Sequence, residues 1–215
     1  MATKVISVSY ETPLNNNPKK YKNWIGLWKG SYINYTDSVL QRIFIEDSKR
    51  CGSYAFDSLA LEVGQDYIVG YGLGDSLSSV AATLFLPWQS PQFKTGKSTR
   101  TLVKPIEIGS NYIVIHYCSP LGNNPKANNN WIGIQQGQTF SYTNNRFKKY
   151  RINDSEYSGD LVINNFPFAR NTWYTIVYGI GKQKKDIAAS WTFNGNEAQY
   201  ECQENCLSCN CKKYH

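Results

Sequence analysis

Asn23-Trp24-Ile25-Gly26 and Asn130-Trp131-Ile132-Gly133 are one stretch met twice, 107 positions apart. Each follows the same lead-in, Pro-Leu-x-Asn-Asn-Pro-Lys, at 13–19 and 120–126. The offset holds beyond the motif: Tyr10 falls on Tyr117, Tyr35-Thr36 on Tyr142-Thr143, and Asp47-Ser48 on Asp154-Ser155. Tyr71-Gly72-x-Gly74 falls on Tyr178-Gly179-x-Gly181. Residues 5–86 laid over 112–193 without a gap give 25 identities in 82 pairs. A register held that long marks a tandem duplication of one domain, because solenoid repeats run only about 20–50 residues.

The chain of 215 residues accommodates two units of about 100 residues, each able to bury a core. The expected boundaries are 1–86, a linker at 87–104, 105–194, and a cysteine-rich tail at 195–215. Tyr, Phe and Trp number 16, 9 and 6, beside many Asn, Ser and Gly, a mix suited to strands and turns. Residues 4–11 alternate apolar and polar as a half-buried strand does. Further strands are expected from Trp24 and at 39–46, 54–63, 67–71 and 80–86. The second unit repeats them at 113–118, from Trp131, and at 161–163, 173–178 and 187–193. Short strands separated by turns every 8–12 residues argue for an all-β fold of two immunoglobulin-like sandwiches.

An early Trp followed by a branched residue and Gly suits the gap between two sheets. Trp24 and Trp131 are therefore expected in the core with Tyr71 and Tyr178, and Gly26 and Gly133 at a bulge or close backbone approach. The Asn-rich loop beside each Trp reads as exposed, which makes it the expected contact surface for a partner. Its residues are Asn16, Asn17, Lys19 and Asn23, then Asn123, Asn124, Lys126 and Asn130.

The (Asn/Asp)-Trp-Ile-Gly motif, with Tyr-Gly-x-Gly before a last apolar strand, resembles the SKICH-type immunoglobulin-like domain. The resemblance covers each repeat. It implies a non-catalytic module for protein interaction or membrane targeting, although here two copies stand back to back without an attached enzyme or coiled coil.

Reactive chemistry is sparse. Thr95-Gly96-Lys97-Ser98-Thr99 looks like the end of a P-loop, but position 91 is Pro and the following segment reads as extended. The glycines at 70–74 and 179–181 lack a βαβ setting and fit hairpin turns. His116 and Cys118 share one strand face, yet their counterparts are Ser9 and Glu11, so the pair is not duplicated. Asp154, Glu156 and Asp160 lack the alternating spacing of a calcium loop. The tail holds Cys202, Cys206, Cys209 and Cys211, a spacing open to disulfides, to zinc, or to a reduced or lipidated tail.

The net charge of +7 is consistent with acidic partners such as lipid headgroups, while the lack of a dense basic helix argues against nucleic acid. No apolar run reaches membrane-spanning length and the N-terminus lacks an apolar signal core, so a cytoplasmic or unconventionally exported protein is expected. The sequons at Asn34 and Asn153 would then be incidental. The expected function is a non-enzymatic binding or assembly protein that presents the duplicated loops to a protein or membrane-associated partner and needs no cofactor. The alternatives are a lectin using Trp28, Trp88, Tyr32 and Tyr35 against sugars, and a coat or fibre protein crosslinked through its tail into homo-oligomers.

Overall fold

Alternation along Trp24-Ile25-Gly26-Leu27-Trp28 sends Ile25 and Leu27 to one side of a strand and both tryptophans to the other. Both sides are buried. The computed structural model describes residues 4–35, 38–89, 92–93, 96–143 and 147–195. The tail cysteines Cys202, Cys206, Cys209 and Cys211 lie outside the described residues. Apart from a 3-10 turn at Lys184–Asp186, the regular structure among the described residues is all strand.

The first half contains β1 (Lys4–Glu11), β2 (Trp24–Lys29), β3 (Gln41–Phe44), β4 (Cys51–Leu59), β5 (Tyr67–Gly72) and β6 (Val80–Leu86). A short hairpin, β7 (Trp88–Gln89) and β8 (Gln92–Phe93), precedes β9 (Ser98–Arg100). The second half contains β10 (Leu102–Ile108), β11 (Tyr112–Cys118), β12 (Trp131–Gln136), β13 (Lys148–Arg151), β14 (Ser158–Asn164), β15 (Trp173–Gly179) and β16 (Ile187–Asn194). Sheet β1-β4 faces sheet β3-β2-β5-β6-β9, and sheet β10-β11-β14 faces sheet β13-β12-β15-β16, every pairing antiparallel. The chain is a β-sandwich protein. Tyr10, Ile25, Leu27, Phe56 and Val69 fill the first sandwich; Val103, Ile115, Ile132, Ile176 and Phe193 fill the second.

Residues 87–104, expected as a linker, carry strands. β9 extends the five-stranded sheet along β6, where the Thr83 and Thr99 hydroxyls meet at 2.6 Å. β10 adds an edge to β11. The basic residues at 94, 97, 100 and 104 obscure the β-branched Thr99, Thr101 and Val103 that place this stretch in sheets.

Trp24 and Trp131 are both 0% exposed, but they do not lie between the sheets. Strand parity puts Trp24 in an outer apolar layer with Trp28, Ile33, Ile68 and Val80, where Ile33 comes from the β2–β3 connection. Trp131 occupies the same layer of the second half with Phe140, Val177 and Ile187. Glycines make room for the rings. A Cβ on Gly72 would stand 2.0 Å from Trp24 Cε2, and one on Gly179 would stand 2.0 Å from Trp131 Cε2. Gly26 and Gly133, the expected sites of close backbone approach, likewise press on indole atoms, at 2.7 and 2.8 Å. Arg42 lies 4.4 Å over Trp24 and Lys149, 107 positions later, 4.4 Å over Trp131.

Candidate functional site

The Asn-Asn-Pro-Lys loop is built from its own side chains. Asn17 Oδ1 accepts the Lys20 amide at 2.9 Å, and Asn124 Oδ1 accepts the Ala127 amide at 2.9 Å, closing one turn in each half. The chain then returns so that the Asn23 amide donates to Pro18 O and the Asn130 amide to Pro125 O, both at 2.8 Å. Lys19 and Lys126 donate their amides to Asp47 O and Asp154 O, which ties each loop to the stretch before β4 or β14.

Four of the residues expected to meet a partner are buried. Asn16 and Asn123 are 7% and 3% exposed, and Asn23 and Asn130 are 0% exposed. Asn23 Nδ2 donates to Asn16 Oδ1 at 2.7 Å and to Tyr71 Oη at 2.8 Å. Asn130 Nδ2 donates to Asn123 Oδ1 at 2.7 Å and to Tyr178 Oη at 2.9 Å. Asn130 Oδ1 also accepts the Gly181 amide at 3.0 Å, whereas Asn23 Oδ1 is buried without a donor. Burial raises the Tyr71 and Tyr178 hydroxyls far above the usual tyrosine range, and the asparagines hold them back in part. Lys19 and Lys126 reach solvent, and Asn17 and Asn124 are half-buried.

The loops face the opposite half of the molecule. The Asn16 side chain lies beside the Tyr142 hydroxyl, and the Asn123 side chain beside the Tyr35 hydroxyl. Burial pushes both hydroxyls up to about 12. None of the four groups Asn16 Nδ2, Asn123 Nδ2, Tyr35 Oη and Tyr142 Oη completes a hydrogen bond. Asn15 Nδ2 reaches Phe140 O at 3.5 Å; the counterpart position, Gly122 at φ 89°, would bring a Cβ within 2.5 Å of Ile33 O. Tyr21 stacks on Tyr142 with ring centroids 5.2 Å apart. Leu73 of the first half shares a core cluster with Ile180 of the second, both 0% exposed. Residue i meets j while j's counterpart meets i's, the pattern of a two-fold interface formed within one chain.

A cleft of about 360 Å³ opens at this seam, lined by Asp75, Ser78, Asn128, Lys182 and Asp186. Asp186 is 6% exposed, and Asp186 Oδ2 accepts the Gln183 amide at 2.9 Å. Burial lifts its carboxyl to about 6, against the pull of that hydrogen bond and of Lys185 and Lys149. Asp75 is balanced by Lys22 at 3.5 Å and Lys185 at 3.9 Å. Sequence reasoning missed Asp186 because its counterpart is Ser79.

Elsewhere, His116 Nδ1 stands 2.7 Å from Asp160 Oδ1 across β11 and β14. The Cys118 thiol is buried and donates to Ser119 O at 3.7 Å. Among the described residues no three His, Cys, Asp or Glu side chains converge as metal ligands. Of the aromatics considered for sugar faces, Trp28 is 3% exposed and packs on Trp24; Trp88 and Tyr35 are half-buried, and Tyr32 is 53% exposed. No helix among the described residues is long and apolar enough to cross a membrane.

No family model and no curated protein matches the chain. Among solved structures it is similar to the chicken CNTN1 FN1–FN3 domains at 10% identity and a TM-score of 0.31. That match covers 88% of this chain and 59% of the other.

Proposed function

We propose that the chain is two fused copies of one SKICH-like, immunoglobulin-like sandwich unit, acting as a non-enzymatic binding or assembly protein for a protein or membrane-associated partner. The reciprocal seam carries this reading. Four of the identically repeated pairs (Asn16 and Asn123, Asn23 and Asn130, Tyr35 and Tyr142, Tyr71 and Tyr178) contact one another, so the repeat supports geometry rather than reactivity. The Asn-rich loops act mainly inside the molecule, which leaves the outer sheet faces and edges, at a spacing the seam sets, to meet a partner. A net charge of +7 favours a partner surface of acidic character.

Selection of random twelve-residue peptides on the immobilised full chain tests the reading, alongside sedimentation with vesicles containing anionic lipid. Enrichment of a recurring sequence class, or salt-sensitive vesicle binding, is the expected outcome. Background levels in both assays would overturn the reading.

A further inference from the structure

Besides β9, which lengthens the larger sheet of the first half, the two sandwiches differ in their smaller sheets: β10-β11-β14 has three strands where β1-β4 has two. β1 is the counterpart of β11 and β4 of β14, and among the described residues β10 has no counterpart in the first half. Among the described residues no strand pairs with the other edge of β1.

Backbone directions show which groups of β1 turn toward this edge. The Thr12 amide donates to Arg50 O at 2.8 Å, and alternate residues of a strand point the same way, so Ser7, Ser9 and Glu11 turn their N–H and C=O groups away from β4. The second half shows the same parity in use. The Ser119 amide donates to Tyr157 O on the β14 side, while Tyr112 O faces β10 and accepts the Gly109 amide at 2.9 Å.

The side chains differ in the same sense. On β11, Ile113 and Ile115 are 0% exposed and Tyr117 is 1% exposed. Val103, Pro105 and Ile108 of β10 stand opposite Tyr117, Ile115 and Ile113, and Val103 is itself 1% exposed within the core. On β1 the counterparts Ile6 and Val8 are only half-buried, and neighbouring Val5 is 60% exposed. Removing an edge strand from a sandwich uncovers inward residues in this way. Among the described residues, then, one edge is occupied and the equivalent edge is unpaired.

We propose that the open edge of β1 is a docking site for an extended segment of another protein, added antiparallel to β1. The segment carries apolar side chains at the three positions that Val103, Pro105 and Ile108 hold against β11. Main-chain bonds to Ser7, Ser9 and Glu11 supply affinity, and the three apolar side chains over Tyr10, Val8 and Ile6 supply selectivity. A proline is admitted at the middle position, since the pair of Pro105 with Ile115 turns its amides away from the partner strand. This identifies the partner's chemistry within the binding reading above and rests on that reading.

The test titrates the full chain with a fluorescent peptide of the sequence 100–109, read by anisotropy, and follows amide exchange in β1. Saturable binding with slowed exchange at Ser7, Ser9 and Glu11 is expected. Ser7→Pro removes an outward-facing donor from an edge strand, which the fold tolerates; it is expected to weaken binding about tenfold or more. The peptide with Val103→Asp is expected to lose binding to the unaltered chain, a result independent of how Ser7→Pro folds. Exchange in β1 unchanged at saturation, or affinity indifferent to the Asp-bearing peptide, would overturn the proposal. Concentration-dependent dimerisation protecting β1 would assign the edge to a second copy and overturn it too. Peptides selected on the chain that protect a surface away from β1 would leave the binding reading standing and remove this site.

Discussion

The Asn130 side-chain amide donates to the Tyr178 hydroxyl at 2.9 Å, and Asn23 makes the same bond to Tyr71 at 2.8 Å. The two asparagines differ at their carbonyl ends, because Asn130 Oδ1 accepts Gly181 N–H while Asn23 Oδ1 has no donor. Asn130→Ala strands three buried groups and is expected to cost about 3 kcal/mol. Asn23→Ala strands two and relieves an unsatisfied oxygen, so its cost should be smaller. Urea unfolding of the two variants checks the order, and a larger loss for Asn23→Ala would contradict it.

The hydroxyls of Tyr35 and Tyr142 are buried without completing a hydrogen bond. Removing them leaves no new unpaired partner, so Tyr35→Phe and Tyr142→Phe should each change stability by less than about 0.5 kcal/mol. The ring is another matter: Tyr142→Ala removes the stack on Tyr21 and should destabilise by about 2 kcal/mol or more. Thermal unfolding of the pair of substitutions at position 142 separates ring from hydroxyl.

The all-β class was legible because alternation with period two is written directly in Lys4–Glu11. Which face of β2 carries Trp24 was not legible, since Ile25 and Leu27 are apolar as well and both faces are covered. The Asn-rich loop was misread for a related reason. Polar turn residues read as exposed, but Asn17 and Asn124 satisfy backbone donors and Asn16 and Asn123 satisfy side chains inside a seam. Identity between two loops that each pack on the opposite half looks, in sequence, like identity between two loops that face a common ligand. Tyr35 and Tyr142 carried the missing signal, being identical at the same offset without a strand role.

Gly72 and Gly179 support the indoles of Trp24 and Trp131 with no room for a methyl group. Gly72→Ala and Gly179→Ala must displace a buried ring and should each destabilise by about 3 kcal/mol or more. Near-ultraviolet circular dichroism, which reports the tryptophan environment, should change in both; an unchanged spectrum with full stability would contradict the packing.

Asp186 binds its proton more tightly in the folded chain than the ordinary carboxylate value of 3.8, with a midpoint of about 6. The folded state therefore holds more protons than the unfolded state between these values, and stability falls as pH rises through that window. Asp186→Asn keeps an oxygen to accept the Gln183 amide and removes the buried charge. It should raise stability above pH 7 by up to about 3 kcal/mol relative to the unaltered chain, with little difference at pH 4. Melting temperatures of both proteins across pH 4–8 provide the comparison.

Burial of Leu73 in a cluster with Ile180, together with the reciprocal contacts of Asn16 with Tyr142 and Asn123 with Tyr35, makes the seam part of the folded core. Calorimetric unfolding of the full chain measures this most directly. One transition with a calorimetric to van't Hoff enthalpy ratio of about one is the result predicted for halves locked through their loops. Two separate transitions, one for each sandwich, would contradict it.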